Sequence, residues 1–140
     1  MKIIDRFDGE YNFLSNFYMA EVIFEGQIYP SSEHAFQAAK SLDPIDRTKI
    51  RKTKTPGNSK RMGREIKLRH DWDNIKYDVM LTIVRDKFTR HKDLAEKLLA
   101  TENAVLIEGN TWGDRTWGVV NGKGKNWLGK ILMQVRNEIS

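Results

Sequence analysis

Helix-start signals recur along this chain, and they constrain its fold more than any other feature of the sequence. Ser31 and Ser32, directly after Pro30, form a predicted N-cap, and the residues from there to Leu42 favour a helix. Thr55-Pro56 is a second start, because a capping side chain stands before a proline at the first helical position. These starts predict short helices in the first half of the chain.

The second half of the chain carries the longer helical patterns. Asp71 can cap a long helix, and a shorter helix is predicted from about Asp93 to Ala100. The last helix is the clearest, because its apolar residues fall on a single stripe. The residues that recur at helical spacing are Trp72, Ile75, Val79, Ile83 and Phe88 in the long helix and Leu128, Ile131, Leu132, Val135 and Ile139 in the last one.

Strand signals are fewer and shorter than the helix signals. Residues 17–24 are rich in aromatic and β-branched side chains, and Glu25-Gly26 then gives a turn signal before residues 27–29, which predicts a β-hairpin. Two further short strands are predicted over residues 105–108 and 116–120. The fold class predicted from these elements is α+β and predominantly helical, with a small β-hairpin and short strands.

Composition places the chain among ordinary globular proteins. Its 140 residues are 39% hydrophobic and 31% charged, and no repeat or linker interrupts them, so residues 1–140 are predicted to form a single domain. No apolar run is long enough to span a bilayer, and the first residues lack the apolar stretch of a signal peptide. We therefore expect a cytoplasmic protein with no membrane partner.

The residue types give little support to metal or cofactor chemistry. The chain has no cysteine, which excludes disulfides and thiolate metal sites. Its three histidines, His34, His70 and His91, are scattered without the spacing of paired ligands. No serine stands in a G-x-S-x-G elbow, so hydrolysis by a familiar nucleophilic triad is not predicted either. No metal site and no cofactor is expected.

Positive charge is concentrated in one segment. The chain has a net charge of +5, and ten Lys or Arg residues lie between Arg47 and Arg69 against one acid, Glu65. Such a segment attracts phosphate, either on a nucleic acid or on a small phosphorylated ligand. The alternative is a solvated basic face with no partner. The ten residues are Arg47, Lys49, Arg51, Lys52, Lys54, Lys60, Arg61, Arg64, Lys67 and Arg69.

The first predicted helix carries reactive side chains on one face. Glu33, Gln37 and Lys40 lie at positions i, i+4 and i+7, which aligns a carboxylate, an amide and an amine. Phe36 and Ala39 offer an apolar side for packing. Such a face could hold and react with a polyhydroxylated ligand. The alternative is structural, with Glu33 stabilising the helix N-terminus through the helix dipole and Lys40 as a solvated tail.

A second candidate cluster occupies residues 108–118. Two tryptophans, two acids and three glycines stand there between short predicted strands, and loops of this kind often carry function on a rigid scaffold. The alternative is a loop that its tryptophans anchor in the core. A third segment, residues 122–126, leads into the last helix and could present backbone N–H groups to an anion, although it lacks the Gly-Lys-Ser/Thr ending of a Walker sequence.

Six motifs follow one another along nearly the whole chain, from about Phe13 to Arg136. They are Phe13-Leu14-Ser15-Asn16-Phe17-Tyr18, Ser32-Glu33-His34-Ala35-Phe36-Gln37-Ala38-Ala39-Lys40, Met62-Gly63-Arg64, Asp71-Trp72, Asp114-Arg115-Thr116-Trp117-Gly118 and Asn126-Trp127-Leu128-Gly129. In this order and spacing they resemble the NADAR superfamily, including its YbiA-like branch. The resemblance implies a mainly helical α+β domain with N-glycosidase activity.

The resemblance also implies a set of site residues. Glu33 corresponds to the main catalytic carboxylate, Lys40 to an active-site amine, and Asp114 to a further residue that we count as catalytic. Val119-Val120 stands where YbiA-like members can have Asp and Gly, so no role is transferred to an acid there. The predicted substrate-binding residues are Asn16, Phe17, Gln37, Arg64, Trp72, Glu108, Trp117, Gly118 and Asn126.

The activity implied by the resemblance is hydrolysis of a ribose C1′–N bond. The predicted substrate is an ADP-ribosylated base, such as guanine in nucleic acid, or a related phosphoribosylated compound. One alternative is an N-glycosidase acting on phosphoribosylaminopyrimidine intermediates of riboflavin biosynthesis, and another is a non-catalytic module that binds ADP-ribose or nucleic acid. The expected partner is thus an ADP-ribosyl or phosphoribosyl N-glycoside, with modified nucleic acid and a toxin–antitoxin context as further expectations.

Overall fold

The computed structural model describes residues 2–140 and confirms a predominantly helical α+β fold. The chain falls into two compact units: the middle unit is Asn16–Arg90, and the terminal unit joins the residues up to Ser15 with His91–Ser140. Met1, where the predicted domain begins, lies outside the described residues, and a single domain over residues 1–140 stays a prediction. The elements are strands β1 (Ile3–Ile4), β2 (Met19–Phe24), β3 (Gln27–Ser31) and β4 (Val105–Leu106), a 3-10 helix (Gly9–Leu14), and helices α1 (Ser32–Ala39), α2 (Pro44–Arg51), α3 (Pro56–Met62), α4 (Trp72–Arg90), α5 (Lys92–Leu99) and α6 (Trp127–Ile139).

The middle unit opens with the predicted β-hairpin. Strands β2 and β3 pair antiparallel, with the buried residues Val22 and Tyr29 opposite each other. Glu25 and Gly26, the two residues between the strands, both have positive φ, at 48° and 82°. This is the backbone geometry of a tight turn whose twist matches that of the paired strands. The hairpin is confirmed, although β2 begins at Met19 rather than at residue 17.

Helix α1 begins where its capping residues predict. Ser31 is the N-cap, and its hydroxyl oxygen accepts a hydrogen bond from the backbone N–H of His34 at 3.1 Å. All eight residues of α1 are buried, so this is an interior helix rather than one with a solvent face. The helix ends at Ala39 and not at Leu42, because the next two N–H groups bond carbonyls three residues back, which tightens the last turn.

Helix α2 is absent from the sequence prediction, although its start carries the same signals as α3. Asp43 caps it by accepting a hydrogen bond from the N–H of Ile45 at 2.9 Å, and Pro44 occupies its first turn. Thr55 caps α3 in the same way, as predicted. Helix α2 buries a single residue, Ile50, so it has almost no apolar stripe for periodicity to reveal.

The long helix α4 is confirmed, and it buries most of the apolar positions that its periodicity predicted. It packs against α1 and against strand β2 of the hairpin. The Asp86 carboxylate accepts a hydrogen bond from the backbone N–H of Ile23 at 2.8 Å, which fastens the helix to that strand. The carboxylate of Asp71, predicted to cap this helix, accepts hydrogen bonds from the Arg69 guanidinium at 2.7 and 3.2 Å.

The terminal unit contains a two-stranded parallel pair and two helices. Strand β1 pairs with β4, which is only two residues long rather than the predicted residues 105–108. Helix α6 packs against β4 and α5 and buries its apolar stripe, so the last helix is confirmed. Among the helices formed by residues 2–140, none has both the length and the apolar character needed to cross a membrane.

The strand predicted over residues 116–120 is wrong. The backbone N–H groups of Thr116 and Trp117 both donate to Oδ1 of Asp114, at 3.0 and 2.9 Å. A carboxylate that accepts hydrogen bonds from amides two and three residues later turns the backbone and removes donors that a strand would use. Val119 and Val120 therefore form only isolated bridges.

Candidate active site

Helix α1 brings together the carboxylate and the amide that the sequence singled out. Glu33 is 7% exposed, and its backbone N–H donates to the carbonyl of Asn16 at 3.1 Å. One turn later, Gln37 donates its side-chain Nε2 to Glu33 Oε2 at 2.6 Å. The first turn of a helix also carries the partial positive charge of the helix dipole. The dipole and the amide both favour a carboxylate that is charged and held in one orientation.

A buried histidine holds the start of α1 in place. His34 Nε2 lies 3.0 Å from the carbonyl oxygen of Thr53, which can only accept, so Nε2 carries the hydrogen. Nδ1 is then the acceptor for the Ser31 hydroxyl at 2.7 Å. Burial lowers the pKa of His34 and keeps the ring neutral. Nowhere in residues 2–140 do three His, Asp or Glu side chains gather in a way that could hold a metal ion.

Lys40 stands at the C-terminal cap of α1, two turns from Glu33 along the same face. Burial lowers the pKa of its amine, the negative charge of Glu33 opposes this shift, and the positive charges of Lys60, Arg64 and Lys76 add to it. The charges of one carboxylate and three cations therefore act on the Lys40 amine. A solvated lysine tail does not fit this environment.

Aromatic rings surround the same region of the middle unit. The rings of Phe36 and Trp72 lie 5.0 Å apart at an angle of 55°, and Nζ of Lys40 lies 6.0 Å from the centre of the Phe36 ring. Trp72 is buried, whereas Phe17 is 45% exposed, with Nζ of Lys60 6.0 Å from its ring. Phe17, rather than Trp72, therefore presents a ring to solvent beside the cations.

Asn16 and Arg64 join this group from the two flanking segments. Asn16 is nearly buried, and its Nδ2 lies 3.4 Å from Sδ of Met80 while its carbonyl holds the N–H of Glu33. Arg64 follows directly after Gly63, the C-cap of α3. The predicted site residues that the middle unit places in one region are Asn16, Phe17, Glu33, Gln37, Lys40, Arg64 and Trp72.

The remaining predicted site residues belong to the terminal unit, where Asn110 organises their loop. Its Oδ1 accepts a hydrogen bond from the N–H of Asp114 at 3.0 Å, and its Nδ2 donates to the carbonyl of Asp114 at 2.9 Å. A Cβ on Gly118 would lie 2.5 Å from Nδ2 of Asn110 and 2.6 Å from Oε2 of Glu108, so glycine is required there. The sequence analysis counted Asn110 only as a member of the 108–118 cluster, although the tendency of asparagine to bond nearby backbone is a signal for this structural role.

Asn126 uses both ends of its side-chain amide within the protein. Oδ1 accepts a hydrogen bond from the N–H of Glu108 at 3.0 Å, and Nδ2 donates to the carbonyl of Leu106 at 2.9 Å. Nearby, the rings of Trp117 and Trp127 meet edge to face, with centres 5.4 Å apart. A tryptophan that packs in this way anchors its loop, which was the alternative interpretation of this cluster.

Residues 122–126, the candidate anion-binding loop, use several of their backbone N–H groups within the protein. The N–H groups of Lys123 and Lys125 donate to carbonyls of the preceding loop at 3.0 and 2.8 Å. The N–H groups of Trp127 and Leu128, the first residues of α6, also donate to loop carbonyls, at 3.1 and 3.0 Å. Because these donors are engaged, the helix N-terminus does not offer them to a ligand.

A buried carboxylate on the same helix face as a desolvated amine, with the charges of several cations acting on that amine, suits chemistry on an anionic substrate. Comparison with known proteins identifies the family. Residues 5–140 match the model of the NADAR domain, and the chain belongs to the NADAR family.

Several relatives cover almost all of this chain. N-glycosidase YbiA of Escherichia coli (strain K12) is 41% identical over 134 residues, which is 94% of this chain and 83% of that protein. A riboflavin biosynthesis protein of Vibrio vulnificus (strain YJ016) is 40% identical over 135 residues, which is 94% of this chain and 36% of that protein. The NMR structure of E. coli YbiA matches with a TM-score of 0.88 at 40% identity, covering 99% of this chain and 84% of that one. The predicted family and fold class are confirmed.

Proposed function

We propose that this chain hydrolyses the bond between ribose C1′ and a nitrogen atom of a phosphorylated N-glycoside, with Glu33 and Lys40 at the reaction centre. The N-glycosidase class rests on the family and on relatives of that name that are 36–42% identical to the chain. One observation carries the residue assignment. The buried carboxylate of Glu33 and an amine of lowered pKa at Lys40 share one face of α1.

Glu33 acts on the charge that develops during cleavage. As a ribosyl C–N bond breaks, positive charge spreads over C1′ and the ring oxygen of the sugar, and a fixed carboxylate stabilises it. The departing nitrogen must also gain a proton, which a carboxylic acid can deliver. We propose Glu33 for these roles, and Asp114 stays a predicted catalytic residue of the terminal unit.

Lys40 offers a covalent route to the same products. In a ring-opened substrate, C1′ is joined to the base nitrogen by a C=N bond. The neutral amine of Lys40 adds to C1′, the base leaves as a free amine with a proton from the site, and a C1′=N bond to Lys40 remains. Water then adds to this Schiff base, which releases the sugar aldehyde and restores the amine. The lowered pKa of Lys40 favours the neutral form that this route needs.

The cations around Lys40 suit a phosphate group on the sugar. Lys60, Arg64 and Lys76 can attract a 5′-phosphate or pyrophosphate, which an ADP-ribosylated guanine and a phosphoribosylaminopyrimidine both carry. The names of two relatives, riboflavin biosynthesis proteins of Vibrio vulnificus and Zea mays, favour the aminopyrimidine. The ten cations between Arg47 and Arg69 favour guanine within a nucleic acid, since they would also attract its backbone.

Release of free base from these two substrates tests the proposal. We expect wild-type protein to cleave at least one of them, and Glu33→Gln and Lys40→Arg to lose activity by about 100-fold or more. Lys130→Arg, an exposed change in α6, is the matched control and should be fully active. Borohydride should trap a substrate-linked adduct on wild-type protein and none on Lys40→Arg. Full activity of Lys40→Arg with no trapped adduct would rule out the covalent route.

Salt dependence separates the two kinds of substrate. Cleavage of a modified nucleic acid should fall steeply as salt rises, because backbone binding releases counterions, whereas cleavage of a free nucleotide should change little. Reversal of a toxin's modification is supported only if the nucleic acid is the substrate. Tight ADP-ribose binding without turnover, unchanged in Glu33→Gln, would instead make the chain a non-catalytic binding module.

A further inference from the structure

The two ends of the Gln37 side-chain amide lie in different surroundings inside the middle unit. The residue is 3% exposed, and its Nε2 donates to Glu33 Oε2 at 2.6 Å. Its Oε1 has no hydrogen-bond partner among residues 2–140. An ionised carboxylate can face only the NH₂ end of an amide, because both carboxylate oxygens are acceptors. An ionised Glu33 therefore orients the amide with its NH₂ group towards the carboxylate.

Gly63 lies against the other end of that amide. A Cβ at this position would overlap Oε1 of Gln37 and would lie 2.9 Å from its Cδ. The φ of −60° and ψ of −18° at Gly63 are helical values that any L-residue adopts. The backbone therefore does not require glycine here, whereas the space occupied by Gln37 does.

We infer that Gln37 is a positioning residue that holds the Glu33 carboxylate in its reactive orientation, and that Gly63 supplies the space in which its amide lies. The inference rests on the proposed role of Glu33. It also gives Gln37 a different part from the substrate contact predicted from the sequence, because the amide acts on the substrate through Glu33. A side chain at position 63 would force the amide out of its place and away from the carboxylate.

Gly63→Ala tests this inference without removing any polar group. We expect kcat to fall about 10- to 100-fold, because a displacement of about 1 Å at a reacting group has effects of this size. KM should change less than about threefold, because Glu33 acts on charge that exists only in the transition state. Gly57→Ala in α3, the helix whose C-cap is Gly63, is the matched control. The nearest atom to its Cβ would be Oγ1 of Thr55 at 3.9 Å, so its kinetics should equal those of wild type.

A double-mutant cycle separates positioning from general damage to the fold. In Gln37→Ala protein the amide is gone, so Gly63→Ala has nothing to displace and should not lower kcat further. The assay uses whichever of the two substrates above the wild-type protein cleaves. An equal fall in kcat on adding Gly63→Ala to wild type and to Gln37→Ala would overturn the inference, and so would an unchanged kcat in Gly63→Ala alone.

Nuclear magnetic resonance gives a readout that does not depend on activity. The ¹⁵N-labelled side-chain NH₂ of Gln37 should exchange slowly with solvent in wild-type and Gly57→Ala protein, and faster in Gly63→Ala and Glu33→Gln. Native exchange in Gly63→Ala would refute the inference even if no substrate were cleaved. Full activity of Glu33→Gln would refute the proposed function. Inactive Glu33→Gln with a native Gly63→Ala enzyme would refute only the inference about Gln37.

Discussion

Replacement of Asn126 tests how the terminal unit is held together at the start of α6. Its side chain bonds the N–H of Glu108 at 3.0 Å and the carbonyl of Leu106 at 2.9 Å, and its φ of 52° lies in the left-handed region. Asn126→Gly removes both hydrogen bonds and leaves the backbone unstrained. Asn126→Ala removes both bonds and also leaves a Cβ at a left-handed position.

The expected losses follow from these contacts. A hydrogen bond of this kind contributes about 1 kcal/mol net, so two of them predict that Asn126→Gly lowers the free energy of unfolding by about 2 kcal/mol. Alanine in the left-handed region costs about 1 kcal/mol more. Asn126→Ala should therefore lower the free energy of unfolding by about 3 kcal/mol.

Urea denaturation measures these differences, and Asn121 provides the control. Asn121 has the same φ of 52°, and within residues 2–140 its side chain makes no hydrogen bond. Asn121→Ala should therefore lower the free energy of unfolding only by the cost of the left-handed backbone, about 1 kcal/mol. The m-value should stay constant across the series. If Asn126→Ala costs no more than Asn121→Ala, the two side-chain hydrogen bonds carry no stability and the reasoning is wrong. A raised KM in folded Asn126→Gly would speak for the predicted substrate contact.

Three further changes probe other parts of the molecule. Asp114→Asn keeps an oxygen that can accept the backbone N–H groups of the loop, so we expect near-native thermal unfolding with a lower kcat, and an unchanged kcat would contradict a catalytic role. Burial lowers the pKa of His34, so the imidazole is protonated more readily in the unfolded state than in the folded state. The free energy of unfolding should therefore fall as pH drops below about 6.5. Urea titrations near neutral and acidic pH should show this loss in wild type and less of it in His34→Gln. Burial lowers the pKa of Lys87 to about 7. Above that pH the Lys87 amine is neutral in the folded state but still protonated in the unfolded state. The free energy of unfolding should then rise by about 1.4 kcal/mol per pH unit from pH 7 towards 10, and a slope unchanged in Lys87→Met would refute this.

The sequence by itself determines the features that depend on neighbouring residues. Ser31 and Thr55 cap helices because each hydroxyl accepts a hydrogen bond from the backbone N–H three residues later, and residues at that spacing can be recognised in the sequence. Glu25-Gly26 makes the hairpin turn for an equally local reason. Helix α6 is predictable because one apolar stripe must be buried somewhere. Motif order along the chain likewise identifies the family without any structure.

Two short segments are difficult to predict from local signals, for different reasons. Residues 116–120 have the composition of a strand, yet the Asp114 carboxylate takes the N–H groups of the two residues that would begin it. Helix α2 has clear capping signals but buries only Ile50, so periodicity does not reveal it. For residues 116–120 the deciding interaction involves one side chain, whose orientation is not visible in the pattern of residue types. For α2 the cap is visible in the sequence, and only the apolar stripe is missing.

The tertiary structure alone decides the chemistry of the candidate site. The spacing of Glu33 and Lys40 places them on one face of a helix, but it is equally compatible with a solvated tail. Burial of α1 and the charges of Lys60 and Arg64, twenty or more positions away in sequence, lower the pKa of the Lys40 amine. Desolvation and charge proximity depend on distance in space, which separation along the chain does not specify.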